Sequence, residues 1–542
     1  MEPMARSLAA PDDPCLVDES TEQILVAGAD SRALLTVAGL TRYGTRPSPR
    51  SAIPLGSCTA SSPIELVYGA ATRGHAALRE AANRGTLEQA IHQSYRQVAR
   101  GLYDHLNLGE VGDVEIAMAP SGTDAEYLVL LLALGDASRP LCNVVVGPKE
   151  VGTGTEGAAG GRHFDSASPH GRGGQVGSPV CARIAELVRV QTISLRDEHG
   201  CVREPDELDR EAEDLVAGAI GRGQRVLLHI VAHSKTGIHA PSLAAVRRLR
   251  GRHGRRIIVV VDAAQGRVSR RGLVAALQEG FLVLFTGSKF YGGPPFAGSV
   301  LVPRAWAPSL RGLPPMPEEF SSYFSRWEMP ESWAEWTVHL RHRFNLGLLL
   351  RWVAGDEAAR AYYEVPGQDR FAILRCFEDL VPRALAGSRW VDIDSVEPVH
   401  FPAGAERLLE SKTTVFPFRV RTASYDASPY FRNADLKQVA SWLNRDISEL
   451  LPEVPSATRQ LLARCFHVGQ PVFEGDARHP AVLRIALGAA LVTEVGLNVQ
   501  HGDTLDERLG WLERQVRGAL EKLHIIIENF QNLLRAEQQH SR

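Results

Sequence analysis

Residues 257–261 are five β-branched side chains in succession, Ile-Ile-Val-Val-Val, and they run directly into Asp262. A strand that is apolar toward both faces belongs inside a mainly parallel sheet covered by helices on either side. Residues 141–146 carry the same signature, and 225–232, 256–262 and 281–286 read as further strands. Helical spacing separates them, most clearly over 242–252, and strands alternating with helices are the mark of crossover connections in a parallel sheet. The sequence therefore predicts an α/β chain. Upstream, Ala, Leu and Arg recur at helical spacing from residue 61 to about 108. A strand is predicted over 114–119, and the turn Pro120-Ser121-Gly122-Thr123 opens a helix over 124–134.

At 542 residues the chain has room for two or three domains. Residues 1–60 show turn signals but little periodicity, and they read as an arm with reach toward a site elsewhere. Residues 61–343 form the large domain. Within it, 151–180 holds nine glycines and is expected to be a long mobile loop. From 344 to 504 the pattern mixes helices (346–363, 368–386, 434–451) with strands (413–420, 482–487), as in a smaller α+β domain. Residues 505–542 close the chain with heptad-like spacing and read as a long helix.

Several functions are excluded by what the chain lacks. With 60 basic and 63 acidic side chains the net charge is −3, too balanced for a polyanion-binding surface, so no nucleic-acid partner is expected. The six arginines between 247 and 256 fall at the end of a predicted helix, where cations favour the dipole. Seven cysteines at irregular intervals, without a Cys-x-x-Cys pair, suggest neither a disulfide framework nor a zinc site. No apolar run spans a bilayer and the first twenty residues do not resemble a signal peptide, which points to a cytoplasmic chain without a membrane partner. His229 and His233 lie four apart on or beside a strand, where that spacing covers ~13 Å, too far to share a metal ion. Gly152-Thr153-Gly154-Thr155-Glu156-Gly157 has the spacing of a dinucleotide fingerprint, but no helix is predicted after it to receive a pyrophosphate.

The chemistry is carried by three pieces in order: Ser121-Gly122-Thr123, Asp262-Ala263-Ala264-Gln265-Gly266 and Thr286-Gly287-Ser288-Lys289. Each ends a predicted strand, and in an open parallel sheet such ends meet in one crevice. Taken alone, an aspartate there is a cap or turn residue and a lysine is solvated. Together they suit pyridoxal phosphate. Ser121, Gly122 and Thr123 precede a helix, whose N-terminus receives a phosphate. Asp262 at the mouth of a buried strand can pair with a protonated pyridine nitrogen and keep the ring an electron sink. Lys289, one crossover later, supplies an amine for a Schiff base.

The order and spacing resemble the fold-type I pyridoxal-phosphate enzymes, and most closely their class V aminotransferase and cysteine desulfurase branch, over roughly residues 60–490. His233-Ser234-Lys235-Thr236-Gly237 and Tyr291-Gly292-Gly293-Pro294-Pro295 resemble two further segments of that branch. The resemblance implies an aminotransferase-like fold with a large, mainly parallel seven-stranded sheet, a smaller α+β domain, and a homodimer. It implies that Thr286 and Ser288 join the cofactor site, that Gln265 bonds the cofactor's phenolic oxygen, that His233 contacts cofactor or substrate, and that Arg484 clamps a substrate carboxylate. The branch commonly stacks a histidine on the ring shortly after the second strand. Here that stretch is Pro148-Lys149-Glu150-Val151-Gly152, so stacking is unassigned, with His163 and His170 as candidates. The expected activity is transamination of an amino acid or primary amine. A lyase that breaks a carbon–sulfur bond or decarboxylates is the alternative, with Cys465 as a thiol to weigh, and a binding protein without turnover is the alternative of another class.

Overall fold

The run at 257–261 is the centre of the observed sheet. In the computed structural model, residues 14–36, 39–41, 43–56, 61–306, 310, 312–393, 412–423, 429–472 and 481–540 are described. Seven strands form the main sheet: β1 (Val114–Ala119), β2 (Leu141–Val146), β3 (Val188–Ile193), β4 (Arg225–Val231), β5 (Ile257–Ala263), β6 (Leu282–Thr286) and β7 (Gly298–Pro303). Their order is β1-β7-β6-β5-β4-β2-β3, with β7 antiparallel to both neighbours and the remaining pairs parallel. Every residue of β2 and β5 is buried, as strands apolar on both faces require. Helix α1 (Gly122–Leu134) leaves the end of β1 and is apolar nearly all round, so it lies inside the molecule against β6 and β7. The fold class is the expected one, α/β with a mainly parallel seven-stranded sheet.

Two strands of the main sheet escaped the sequence reading. β3 is an edge strand, Val-Arg-Val-Gln-Thr-Ile, mostly half-exposed, and carries no continuous apolar run. β7 is fully buried, but it begins Gly-Ser and ends in Pro, and those residues read as turn signals. The helix Pro205–Gly221 was not anticipated either.

The glycine-rich segment departs from its expectation of a mobile loop. It forms a short helix, Thr155–Ala159, and a two-residue hairpin, Ala167–Ser168 with Gly171–Arg172. Aromatic packing explains this. Phe164 stacks on Tyr127 with centroids 6.0 Å apart, and His163 Nδ1 lies 2.6 Å from the Tyr323 hydroxyl.

Part of the arm is packed into the body. Its helix Thr21–Val26 is closed by a capping box of Ser20 and Gln23, and Leu16, Val17, Ile24 and Leu25 are buried in the main core. Helix α2 (Leu346–Glu364) receives it. Arg351 on α2 is fully buried and donates to the carbonyls of Leu25 (3.0 Å), Ala27 (2.7 Å), Gly28 (3.0 Å) and Phe296 (2.8 Å). Asn345 caps α2 and donates to Gly28 O at 2.8 Å. Residues 1–13, 37–38, 42 and 57–60 of the arm lie outside the described residues.

A second sheet, β8 (Val391–Ile393), β9 (Val415–Val420) and β10 (Leu483–Ala486), is antiparallel in the order β8-β9-β10. The helix expected over 434–451 stops at Leu443, with a 3₁₀ turn over Ser448–Leu450. Helix α3 (Leu505–Glu528) packs across the helices of this part, and the expected single terminal helix breaks at Asn529 before Phe530–His540. Among the described residues no helix is long and apolar enough to cross a membrane, and no group of three His, Cys, Asp or Glu side chains is placed to hold a metal ion.

Candidate active site

At the carboxyl ends of β1, β5 and β6 the chain breaks into the three polar motifs, and they touch. Ser121 is the N-cap of α1: its Oγ accepts from the Thr123 and Asp124 amides at 3.2 and 3.1 Å and donates to Asp124 Oδ2 at 2.5 Å. Thr286, closing β6, donates from Oγ1 to the Ala264 carbonyl at 2.7 Å and so ties β6 to the turn after β5. Gly122 lies against that tie, since a Cβ there would come within 3.2 Å of Thr286 Cγ2 and 3.5 Å of the Ala264 Cβ. β7 passes below. A Cβ on Gly298 would meet the Ser121 carbonyl carbon at 2.3 Å, so only glycine fits at that crossing.

Asp262 is buried near the end of β5 and accepts from the Ala264 amide at 3.0 Å. Burial holds its carboxyl above the ordinary value, while the charge of Lys289, the Ala264 N–H and the charge of Lys235 pull it back. Lys289 stands three residues past β6, half-buried and close enough for its charge to act on both Asp262 and Lys235. Gln265 and Ser288 are buried in the turns beside them. Behind Asp262 sits Glu126, whose carboxyl is pushed well up by burial and by the Asp262 charge. His229, 3.8 Å from Glu126, bonds Asn143 at 2.9 Å and is held neutral by burial at a pKa of about 3.

The turn after β4 brings His233, Ser234, Lys235 and Thr236 to the same edge. His233 donates from Nδ1 to the Ser234 carbonyl at 2.9 Å, which leaves Nε2 an acceptor. Burial, with the Arg267 charge nearby, pushes its pKa down to about 3. Glu150, on the segment leaving β2, accepts from Arg196 Nε (2.7 Å), Ser234 Oγ (2.8 Å) and Thr236 Oγ1. Burial, then the charges of Lys289 and Arg484, push the Lys235 ammonium down to about 8.

Arg484 lies on β10 and is buried, with its guanidinium toward this edge. It donates to the main-chain carbonyls of Lys235 (2.9 Å) and Gln470 (3.2 Å), which ties it to the frame of the site. Of the two stacking candidates, His163 is engaged with Tyr323, and His170 is buried 3.3 Å from Glu328. Both belong to the packing of the glycine-rich segment. Cys465 is half-buried, and its thiol accepts from Arg50 of the arm at 3.8 Å.

Sequence reasoning missed Arg32. It pairs with the buried Asp30, lies 5.0 Å over the Phe296 ring, and its Nη2 reaches within 3.4 Å of Ser121 Oγ. Its pairing with Asp30 is local and unremarkable, and the contacts that bring it to the site come from Ser121 and Phe296, far along the chain. Lys235 was part of a quoted motif but had no role. A lysine between Ser and Thr in a turn reads as solvated until the turn is seen folded against Glu150.

No family model matches the chain, and no curated protein matches it. Among solved structures it is similar to a NifS-like protein at 11% identity, covering 87% of this chain and 99% of that one with a TM-score of 0.49. It is similar to a cystine C–S lyase in complex with its product cysteine persulfide at 16% identity, 87% and 98% coverage, and a TM-score of 0.48. It is also similar to a ureidoglycine–glyoxylate aminotransferase from Bacillus subtilis at 11% identity, 91% and 99% coverage, and a TM-score of 0.47. Likeness at this level says nothing of the chemistry, which has to come from this chain's own residues.

Proposed function

We propose that this chain is a pyridoxal-phosphate enzyme of the fold-type I, class V aminotransferase-like kind, acting on the amino group of an amino acid or another primary amine, with transamination as its reaction. The observation that carries the reading is the meeting of a buried carboxyl, Asp262, with the Lys289 amine and the N-terminus of a buried helix at one sheet edge. The residues fit the cofactor. A buried carboxyl that neighbouring positive charge draws toward ionisation suits a ring N–H⁺, and the first turn of the helix Gly122–Leu134, capped by Ser121, suits a phosphate.

In this reading Gly122 and Thr123 hold the phosphate from the first turn of α1, with Ser121 shaping that turn and Ser288 adding a hydroxyl. Asp262 holds the proton on the ring nitrogen. Gln265 bonds the phenolic oxygen, His233 faces the ring or substrate as a neutral imidazole, and Arg484 clamps a substrate carboxylate. Thr286 contributes by fixing the turn, because its hydroxyl proton is engaged with Ala264 O. Lys289 Nζ would be the point of covalent attachment, and its amine would take the proton from the substrate Cα and deliver it to the former aldehyde carbon. When bound, pyridoxal phosphate supplies an exchangeable aldehyde carbon and an electron-withdrawing ring that stabilises negative charge at Cα.

The protein is read as a cytoplasmic homodimer with a small-molecule substrate and neither nucleic acid nor membrane as partner. Sedimentation at twice the 59.1 kDa chain mass checks the dimer. The test of function is a spectrum of the protein supplied with pyridoxal phosphate, borohydride fixation mapped by peptide mass, and incubation with amino acids with and without a 2-oxo acid. A fixed cofactor on Lys289 and acceptor-dependent exchange are expected. Release of sulfide, ammonia or carbon dioxide without an acceptor replaces transamination by lyase chemistry, and a colourless protein ends the reading.

A further inference from the structure

In the reading above the phosphate lies at the first turn of α1 against Gly122, Thr123 and Ser288, none of which carries a charge. A helix N-terminus offers only about half an elementary charge, while a phosphate ester brings about 1.5 to 2. A cation therefore belongs at this turn, and the arm delivers one. Arg32 Nη2 lies 3.4 Å from the Oγ of Ser121, the residue that caps α1.

The guanidinium is built into the wall of the site, with its side chain 12% exposed. Its Nε donates to Asp30 Oδ1 at 2.8 Å, its Nη2 pairs with Asp30 Oδ2, and Asp30 is buried. The Phe296 and Phe164 rings flank it, their centroids 5.0 and 5.7 Å from Cζ. Each support is itself fixed. Arg351 donates to the Phe296 carbonyl at 2.8 Å and to the arm carbonyls of Leu25, Ala27 and Gly28. Ser31 Oγ donates to Asp165 Oδ2 at 2.6 Å, next to Phe164. Asp30 takes one edge of the planar fork. From the other edge Nη2 reaches Ser121, and Nη1 makes no hydrogen bond among the described residues. Two donors on one rigid edge match two oxygens of a phosphate. We infer that Arg32 holds the cofactor phosphate, so that the arm completes the cofactor site from within the same chain. The inference rests on the pyridoxal-phosphate reading and adds to it a phosphate ligand from outside the three motifs.

The test compares pyridoxal phosphate with pyridoxal, which offers Lys289 the same aldehyde but lacks the phosphate. Each is titrated into full-length protein freed of cofactor, and the dissociation constant is read from absorbance. Arg32→Met is expected to weaken pyridoxal phosphate at least about 30-fold, as when one partner of a buried charge pair is removed, and pyridoxal by no more than about threefold. Arg32→Lys keeps the charge without the fork, and is expected to weaken pyridoxal phosphate about tenfold with pyridoxal again little changed. It carries the comparison if Arg32→Met does not fold. An equal loss for the two compounds overturns the inference and assigns Arg32 to the packing of the arm. Unchanged affinity for pyridoxal phosphate overturns it as well. Wild-type protein that binds neither compound, or that is fixed by borohydride at a lysine other than Lys289, contradicts the proposed function itself, and the inference falls with it.

Discussion

At the scale of residues, the site is a set of buried charges whose protonation is set by their neighbours. Lys289→Ala is expected to leave no borohydride-fixed cofactor and to lower turnover by at least about a thousandfold. Asp262→Asn keeps the shape and removes the charge, so cofactor should still bind while turnover falls about a hundredfold or more, measured under saturating cofactor. Asp124 gives a stability prediction. Burial and the Asp30 charge hold its carboxyl at about 7 against a usual 3.8. The folded chain therefore keeps a proton that the unfolded chain releases, so this group's stabilisation is complete below pH 3.8 and is lost as pH rises through about 7. Asp124→Asn should remove that slope and gain on the wild type by on the order of 4 kcal/mol between about pH 4 and about pH 8, read from urea unfolding. Asp262 and Lys289 were legible in the sequence because each follows a strand that betrays itself by composition. Arg32 was not, because the contacts that bring it to the site are with residues 89 and 264 positions away along the chain.

At the scale of elements, what could be read ahead of the structure follows how much of each element is apolar. β2 and β5 are buried on both faces and announce themselves, while β3, half-exposed at the edge, and β7, bracketed by Gly and Pro, do not. The glycine-rich segment misled for the opposite reason. Its glycines suggest mobility, yet Phe164 and His163 seat it against Tyr127 and Tyr323. The arm was legible only as a reach toward something, since the carbonyls it offers to Arg351 have no sequence signature. Arg351→Met should strand those buried acceptors, lowering stability by about 3 kcal/mol or more, and limited proteolysis should then cut before residue 30 at protein concentrations where the wild type resists.

At the scale of the whole molecule, the helices that accompany the second sheet depend on α3, which packs on Gly367–Ala386, Asn433–Leu443 and Ala489–Gln500. Leu512, Val516, Ala519, Leu523, Ile526 and Ile527 are buried along it, and Lys522, fully buried, donates to the carbonyls of Arg445 and Arg464 at 2.7 and 2.6 Å. Burial of six such side chains is worth roughly 10 kcal/mol, comparable to the whole stability of a domain. A chain ended at residue 504 is therefore expected to aggregate on expression, with static light scattering as the measure. The heptad-like spacing of the last residues made this helix legible, but not the surface it covers, because the helices it packs on are drawn from more than a hundred residues of chain.

The grip of Arg351 on the arm has a consequence for synthesis. Residues 25–32 leave the ribosome early, but Asn345 and Arg351, which receive their backbone, are made more than three hundred residues later. Until then the nascent arm has no seat and the wall at Ser121 lacks Arg32. Interim shelter from a chaperone would suit a chain that must wait through more than half its own translation before its pocket can close.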